Sequence, residues 1–401
     1  MSPGNGASNL STIKSNNRNL ILRLLNSMGG ISRAELARLT GLTKTSITNI
    51  IAELMEEGII YETGTLDSSS GRKPILLHLR HDAYYALGVL ISRDYVYSNI
   101  VTLSGDIVSE SKIHLELSEN EKSFTLSTYQ VISDVLKASD IDRNKLLGIG
   151  VASVGPLDLK NGIILAPPNF RGLKSIPIVK LIKEKYGIHT FLENDINACA
   201  IAEKLFGNAK QVSNYVFVGV GRGIGSGIFL NNMLFRGNNG FAGEIGHITI
   251  DIHGQKCACG NMGCLELYAS IPNIVNQVRS SVSLGAESAL SALDDIRWAD
   301  VVSAARNGDP LCLKVIDRLT YYLSVGLVNT VNLYDPEVIY LGNDISLVGD
   351  LVMNQINELV NGSFLFRASK QIRIELSRFK DYAPCMGAPS IVLYKFFNGE
   401  L

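Results

Sequence analysis

Three cysteines and two histidines crowd into residues 241–266, FAGEIGHITIDIHGQKCACGNMGCLE, close enough in sequence to share one metal ion. Cys257, Cys259 and Cys264 offer thiolates and His247 an imidazole, the donors Zn²⁺ prefers in a closed, four-ligand structural site. Gly260 and Gly263 let the chain fold back tightly enough for Cys259 and Cys264 to converge. A disulfide with one thiol left over is the plainer alternative, but Cys257 and Cys259 sit too near each other for easy bridge geometry. Ligand type and spacing favour zinc. His253 is a rival for the fourth position. Between the histidines, Ile248-Thr249-Ile250-Asp251-Ile252 alternates and is rich in β-branched residues, so it reads as a strand. His247 starts that strand and His253 lies in the loop beyond it. Spacing does not choose between them.

Glu244-Ile245-Gly246-His247 followed by Cys257-Ala258-Cys259-Gly260-Asn261-Met262-Gly263-Cys264-Leu265-Glu266 resembles the signature of the ROK family (repressors, open reading frames and sugar kinases). The resemblance implies that His247 is the metal ligand, and that Glu244, His247 and Glu266 face a sugar. The metal would then hold a sugar pocket in shape. Residues 192–207, LENDINACAIAEKLFG, resemble the family's Glu-Asn-Asp-x-Asn-Ala segment at the head of a helix, implying that Asn194 and Asp195 bind sugar hydroxyls. Helix capping is the ordinary role of such residues. Pro168-Asn169-Phe170 resembles a further family segment and adds Asn169 as a ligand contact. The run from Gly240 to Asp251, with Glu266-Leu267-Tyr268-Ala269-Ser270, is most similar to the xylose-responsive repressors of the family, implying xylose before glucose or N-acetylglucosamine.

Positioning these residues takes more than one core. The chain has 401 residues, longer than one hydrophobic core usually serves. With 46% hydrophobic and 19% charged residues it reads as a soluble globular protein, without a bilayer-spanning run or the apolar core of a signal peptide. Six cysteines, three of them in the cluster, suit a reducing cytoplasm, and Cys199, Cys312 and Cys385 fall in apolar helical patterns as core residues. From residue 84 to 401 the pattern is α/β. Strands are expected at Ala86–Ile91, Tyr97–Leu103, Ile107–Leu117 and Leu146–Val154, with a helix over 121–138. The scheme recurs at Tyr215–Val220, Gly225–Leu230, Met233–Phe235 and Val338–Leu341. Such a repeated unit resembles the two-lobed actin-like, ROK sugar-kinase fold, with a cleft near residues 192–195 and a last helix crossing back to the first lobe.

Residues 1–80 read differently. Residues 1–12 are small and polar, and disorder is expected there. A helix with Ile21, Leu24, Leu25 and Met28 ends at Gly29-Gly30. Ser32-Arg33-Ala34-Glu35 opens a short helix as a capping box, Gly41 turns the chain, and a helix over 43–57 carries Ile47, Ile50, Ile51, Leu54 and Met55 on one face. This is a helix-turn-helix. Thr43, Lys44, Thr45, Ser46 and Asn49 at the start of its second helix suit base edges and phosphates, with Arg33 close by. Ile59–Tyr61 and Ile75–Leu79 form a wing whose loop carries Arg72 and Lys73 toward a minor groove. Up to residue 52 there are six cations and one acid, a charge of +5 in a chain of net −1, which points to an anionic partner at this end.

Phosphoryl transfer needs a base, Mg²⁺ and backbone donors around phosphate. Asp195 matches the base of the ROK kinases, and Gly221-Arg222-Gly223-Ile224-Gly225 keeps a glycine-rich loop, with Arg222 in place of the usual Thr. ROK kinases carry Asp-x-Gly-Gly-Thr at the end of the first strand, whereas this chain has Leu90-Ile91-Ser92-Arg93-Asp94. Leucine cannot serve Mg²⁺. The sequence therefore reads as a sugar-responsive repressor and not an enzyme, with an ATP-dependent sugar kinase as the alternative. Its expected partners are a palindromic double-stranded DNA operator, a small sugar and further copies of itself, as a homodimer or homotetramer; no membrane is expected.

Overall fold

A computed structural model describes residues 10–64, 75–115, 120–165, 173, 175–365 and 367–401. Helix α1 (Leu10–Met28) already covers residues 10–12, where disorder was expected, and buries Ile21, Leu22 and Leu25. After the short strand β1 (Ile31–Ser32), α2 (Arg33–Thr40) starts on the Ser32 hydroxyl, which accepts the Glu35 N–H at 3.2 Å. The expected capping box is only half made: the Glu35 carboxylate turns to the Arg38 guanidinium one turn on, a charge-assisted pairing stronger than a reach back to a neutral N–H. Helix α3 (Lys44–Glu56) follows Gly41, which sits at φ +69°, and buries Ile47, Ile50, Ile51 and Leu54. Strands β2 (Ile60–Thr63) and β3 (Leu76–Leu79) pair antiparallel, with β1 on the other side of β3. Arg72 and Lys73, which fall between β2 and β3 in sequence, lie outside the described residues.

The rest is built on two five-stranded sheets of the same plan. The first comprises β4 (Tyr85–Ile91), β5 (Tyr95–Thr102), β6 (Ile107–His114), β7 (Leu146–Ser153) and, after the two-stranded β8 (Leu157–Asp158) and β9 (Ile163–Ile164), β10 (Thr190–Asn194). Helices α4 (Glu121–Ala138) and α5 (Ile178–Tyr186) belong to this half, and α6 (Asp195–Phe206) leaves it. The second sheet comprises β11 (Tyr215–Val220), β12 (Ile224–Leu230), β13 (Met233–Leu234), then, beyond α7 (Glu266–Ala269), α8 (Ile271–Ser283), α9 (Trp298–Arg306) and α10 (Pro310–Tyr334), β14 (Val338–Gly342). It closes with α11 (Gly349–Ser363) and β15 (Arg373–Leu376). In each sheet the first strand is central, paired antiparallel with the second and parallel with the fourth.

Helix α12 (Ala383–Asn398) crosses back over the first sheet, as expected, and glycines let it settle onto the strands. A Cβ at Gly88 would stand 2.3 Å from the Pro389 ring, and one at Gly150 only 2.1 Å from the Ala388 carbonyl. The free thiols of Cys199, Cys312 and Cys385 are buried in the cores, as their patterns implied. One apolar cluster runs without a break from Ile21 and Leu25 of α1 through Leu205 and Phe206 of α6 to Tyr394 and Phe397 of α12.

Candidate effector cleft, metal centre and nucleic-acid interface

The cysteine segment folds as a knuckle. The Cys257 N–H donates to the Asn261 carbonyl at 2.8 Å and the Gly260 N–H to the Cys257 carbonyl at 2.9 Å, with Gly260 at φ +97°. The strand expected over 248–252 does not form. Thr249 makes a single bridge to Cys264, and the ladder ends there because its partner is the knuckle itself, bent at Gly263. His247 closes a one-turn 3-10 helix with Ile245 and Gly246.

This geometry chooses the fourth donor. The donor atoms of His247, Cys257, Cys259 and Cys264 all lie within 4.8 Å of one another, and His253 is exposed outside the group. Cys259 and Cys264 sulfurs are 3.7 Å apart, and His247 Nδ1 is 3.8 Å from the Cys257 sulfur. A tetrahedron with metal–sulfur bonds of about 2.3 Å has edges of about 3.8 Å, so the four donors can hold a metal. Burial and the neighbouring sulfurs push the Cys264 thiol up to about 12, a crowding that a central cation relieves. The Asn261 amide ties the knuckle to the rest by donating to the His247 carbonyl and the Thr249 hydroxyl at 3.2 and 2.9 Å.

With Nδ1 turned to the sulfurs, His247 keeps Nε2 on the opposite edge of its ring. Glu244, three residues earlier, and Glu266, two residues after Cys264, lie within electrostatic reach of each other, and Glu244 also acts on Asp195. Glu266 is held by the Ile224 N–H at 3.1 Å, beside the glycine-rich loop. Asn194 ends β10 and caps α6: its side-chain oxygen accepts the Ile196 and Asn197 N–H groups at 2.9 and 3.2 Å. The capping role is real, and it leaves the Asn194 NH₂ as the group able to serve a ligand. Asp195 is the first residue of α6. Loss of water raises its carboxyl to about 7, Glu244 adds to the rise, and the Ile196 N–H and Arg93 oppose it. Asn169 lies outside the described residues.

Two ion pairs across the cleft escaped the sequence reading. Asp94, just after β4, pairs with Arg222 of the glycine-rich loop, 128 positions away. Arg236, after β13, donates to the buried Glu193 carboxylate at 2.7 Å, whose other oxygen takes the Asn194 N–H and the Asn197 amide, both at 3.1 Å. The unusual Arg93-Asp94 and Arg222 gave a signal of charge where the family has small residues, but no register for pairing. Leu90 is 2% exposed and packs among Tyr97, Ala152, Ala198 and Ala388. The strand position that would carry a magnesium carboxylate is thus a buried apolar side chain.

On the first module, Thr43, Lys44, Thr45 and Asn49 are exposed at the start of α3, and Ser46 is half-buried against the Thr43 cap. Arg33 is exposed beside them but pairs with Glu62 at 2.7 Å. The apparent +5 is partly neutralised on folding: Lys14 pairs with Glu53 and Arg18 with Glu57 of the α3 end, acids just past the window counted. Folding thus sets most of these cations, Lys14, Arg18, Arg33 and Arg38, against carboxylates of the same module.

The chain matches the winged helix-turn-helix DNA-binding family over residues 15–61 and the ROK family over residues 86–395. It is 32% identical over 386 residues to the xylose repressor of Bacillus subtilis (strain 168), covering 96% of this chain and 97% of that protein. A crystal structure of a ROK family transcriptional regulator, described as a homolog of the E. coli MLC protein, superposes with a TM-score of 0.82 at 29% identity, covering 96% of this chain and 97% of that one. The ROK family glucokinase of Streptomyces griseus, solved with glucose and AMPPNP, shares the fold at a TM-score of 0.68 and 24% identity, over 77% of this chain and 98% of its own. On these matches and on the geometry of its cleft, the chain is a member of the ROK family.

Proposed function

We propose that the protein represses carbohydrate-utilisation genes by binding an operator through α3 and releasing it when a sugar fills the cleft. It is a DNA-binding regulator and not a kinase, in line with the repressors it matches end to end. The observation that supports this reading is the pairing, in one chain, of an exposed polar start of α3 with the buried Leu90 at the strand position where the ROK kinases carry a magnesium carboxylate. Asn169, Asn194, Asp195, Glu244, His247 and Glu266 hold the sugar, and xylose is the first candidate. Zn²⁺ is the metal that a three-sulfur, one-nitrogen tetrahedron suits, in a purely structural role. Thr43, Lys44, Thr45, Ser46 and Asn49 read the major groove, with Arg33, Arg72 and Lys73 on phosphates or the adjoining minor groove. A dimer or tetramer on a palindromic operator fits such a module. No helix among the described residues is long and apolar enough to cross a membrane, and free thiols agree with the cytoplasm.

A mobility-shift titration with xylose, glucose and N-acetylglucosamine tests the reading: one sugar should release operator DNA, and no response to any sugar counts against it. Binding should also weaken about 10³-fold between 50 and 200 mM salt as basic side chains give up phosphates to counterions. Salt-insensitive binding would remove the phosphate contacts from the account.

Asp195 makes a pH prediction. Its folded value near 7 lies above the ordinary 3.8, so its contribution to stability is fully present below about 3.8 and is lost as pH rises from there through about 7. Sugar binding runs the other way, because only the ionised carboxylate accepts with both oxygens. Affinity measured by calorimetry should fall several-fold from pH 8 to pH 6, and Asp195→Asn should flatten the profile.

A further inference from the structure

We infer that Asn26, in the DNA-binding module, couples the effector cleft to the DNA-reading helix by capping the far end of α6. The inference rests on the cleft being the effector site proposed above. Helix α6 has its cap Asn194 and first residue Asp195 in the cleft, and its 12 residues span about 18 Å. Its last carbonyls need partners from outside the helix. The Phe206 carbonyl accepts from Arg378 at 3.0 Å, and the Leu205 carbonyl accepts the Asn26 side-chain amide, also at 3.0 Å. The DNA-binding module thus supplies one of the caps of a helix that begins among the sugar ligands.

Between its ends α6 has little freedom to absorb a shift. A Cβ at Gly227 of β12 would stand 2.5 Å from the Ala200 methyl, and one at Gly387 of α12 2.8 Å from the Ala198 backbone. The Tyr215 hydroxyl donates to the Ala200 carbonyl at 2.7 Å. A helix packed this closely along its length moves as one body with no room to bend between its ends, so a displacement at Asp195 arrives at Leu205.

From Asn26 the path continues without a gap. Asn26 sits on α1, whose Lys14 and Arg18 pair with Glu53 and Glu57 on and just beyond α3, at 2.7 and 2.6 Å. The same helix lies on α12, where Arg23 donates to Asn398 at 3.0 Å and Asn19 fills the space beside Gly399. Helix α1 is therefore a lever resting on α12, gripped by α6 at Asn26 and attached to the DNA-reading helix at its other end. Coupling of this kind is reciprocal: operator binding must alter the cleft end of α6 as much as sugar alters α3.

The test compares the wild type with Asn26→Ala and Asn26→Gln, using a DNA fragment selected in vitro on the wild-type protein and xylose, glucose and N-acetylglucosamine as sugars. Asn26→Ala should leave sugar affinity without DNA, and DNA affinity without sugar, within about twofold of the wild type. The ratio of DNA affinities with and without sugar should shrink about fivefold, the worth of one neutral hydrogen bond. Asn26→Gln, which keeps the amide donor on a longer arm, should recover part of that ratio. An unchanged ratio in Asn26→Ala overturns the inference. Should that variant not fold, hydrogen exchange on the wild type decides: DNA should change the protection of residues 195–206, and unchanged protection there overturns the coupling. Wild-type protein that binds DNA but none of the sugars sinks the effector reading, while the exchange result still judges α6.

Discussion

Cys264→Ser and Cys257→Ser should each lose the bound metal, lower the thermal midpoint by roughly 5–10 °C and abolish sugar-dependent release of DNA. Both thiols are buried, and the Cys264 sulfur lies 3.7 Å from that of Cys259, so serine leaves three donors in a pocket shaped for four. The damage reaches the cleft through the chain itself. Glu266 follows Cys264 by two residues and meets the glycine-rich loop at the Ile224 N–H, 3.1 Å away. His247 would lose the sulfurs that orient its ring. His253→Ala is the control: its side chain lies outside the donor group and should leave metal content and response unchanged. Metal analysis, melting curves and mobility shifts on the four proteins settle the matter. A Cys264→Ser protein with normal metal content and normal sugar response would remove the metal centre from the mechanism.

Gly243→Ala should weaken sugar binding by about 100-fold or more while leaving the metal in place. Gly243 has φ +93°, a conformation that costs an alanine about 1–2 kcal/mol by itself. A Cβ there would also stand 2.0 Å from the Ser226 carbonyl oxygen. That contact cannot relax without breaking the bond from the Ser226 N–H to the Gly243 carbonyl, 2.8 Å long, or the one from the Ser226 hydroxyl, 2.9 Å long. Glu244 is the next residue, so the loop that must move is the one that presents a proposed sugar carboxylate. Calorimetry with the responding sugar reads the loss. Metal content and DNA binding without sugar should stay near wild type, which separates this variant from the cysteine pair. Wild-type sugar affinity in a folded Gly243→Ala protein would show that the placement of Glu244 does not matter.

Local features were readable along the chain because local physics writes them. The helix over 121–138 and the strand over 215–220 appear at those limits, since a 3.6-residue or two-residue apolar period is visible in any window. The buried face of α3 follows from the same period, and Gly41 was placed by its turn. One local inference failed for a reason that is not local. Residues 248–252 have strand composition, but a strand needs a partner of matching length, and the knuckle offers one bridge. The expected disorder failed only at residues 10–12, the rest of that stretch lying outside the described residues: Leu10–Met28 is a single helix because its apolar face lies on the rest of the protein.

By itself the sequence determined the donor types of the metal site, the polar start of α3, the repeated α/β plan and the absence of a magnesium carboxylate at Leu90. These are properties of residue identity, spacing and period. Spacing left His247 and His253 open and the family resemblance implied His247; the tertiary structure sets His247 among the cysteines, and it alone shows that much of the N-terminal charge is spent on Glu53, Glu57 and Glu62. It alone joined Asp94 to Arg222, Glu193 to Arg236 and Asn26 to Leu205, across 128, 43 and 179 positions. Nothing in the spacing of such pairs marks them, because the approach of their side chains is set by how sheets and helices pack and not by any period along the chain.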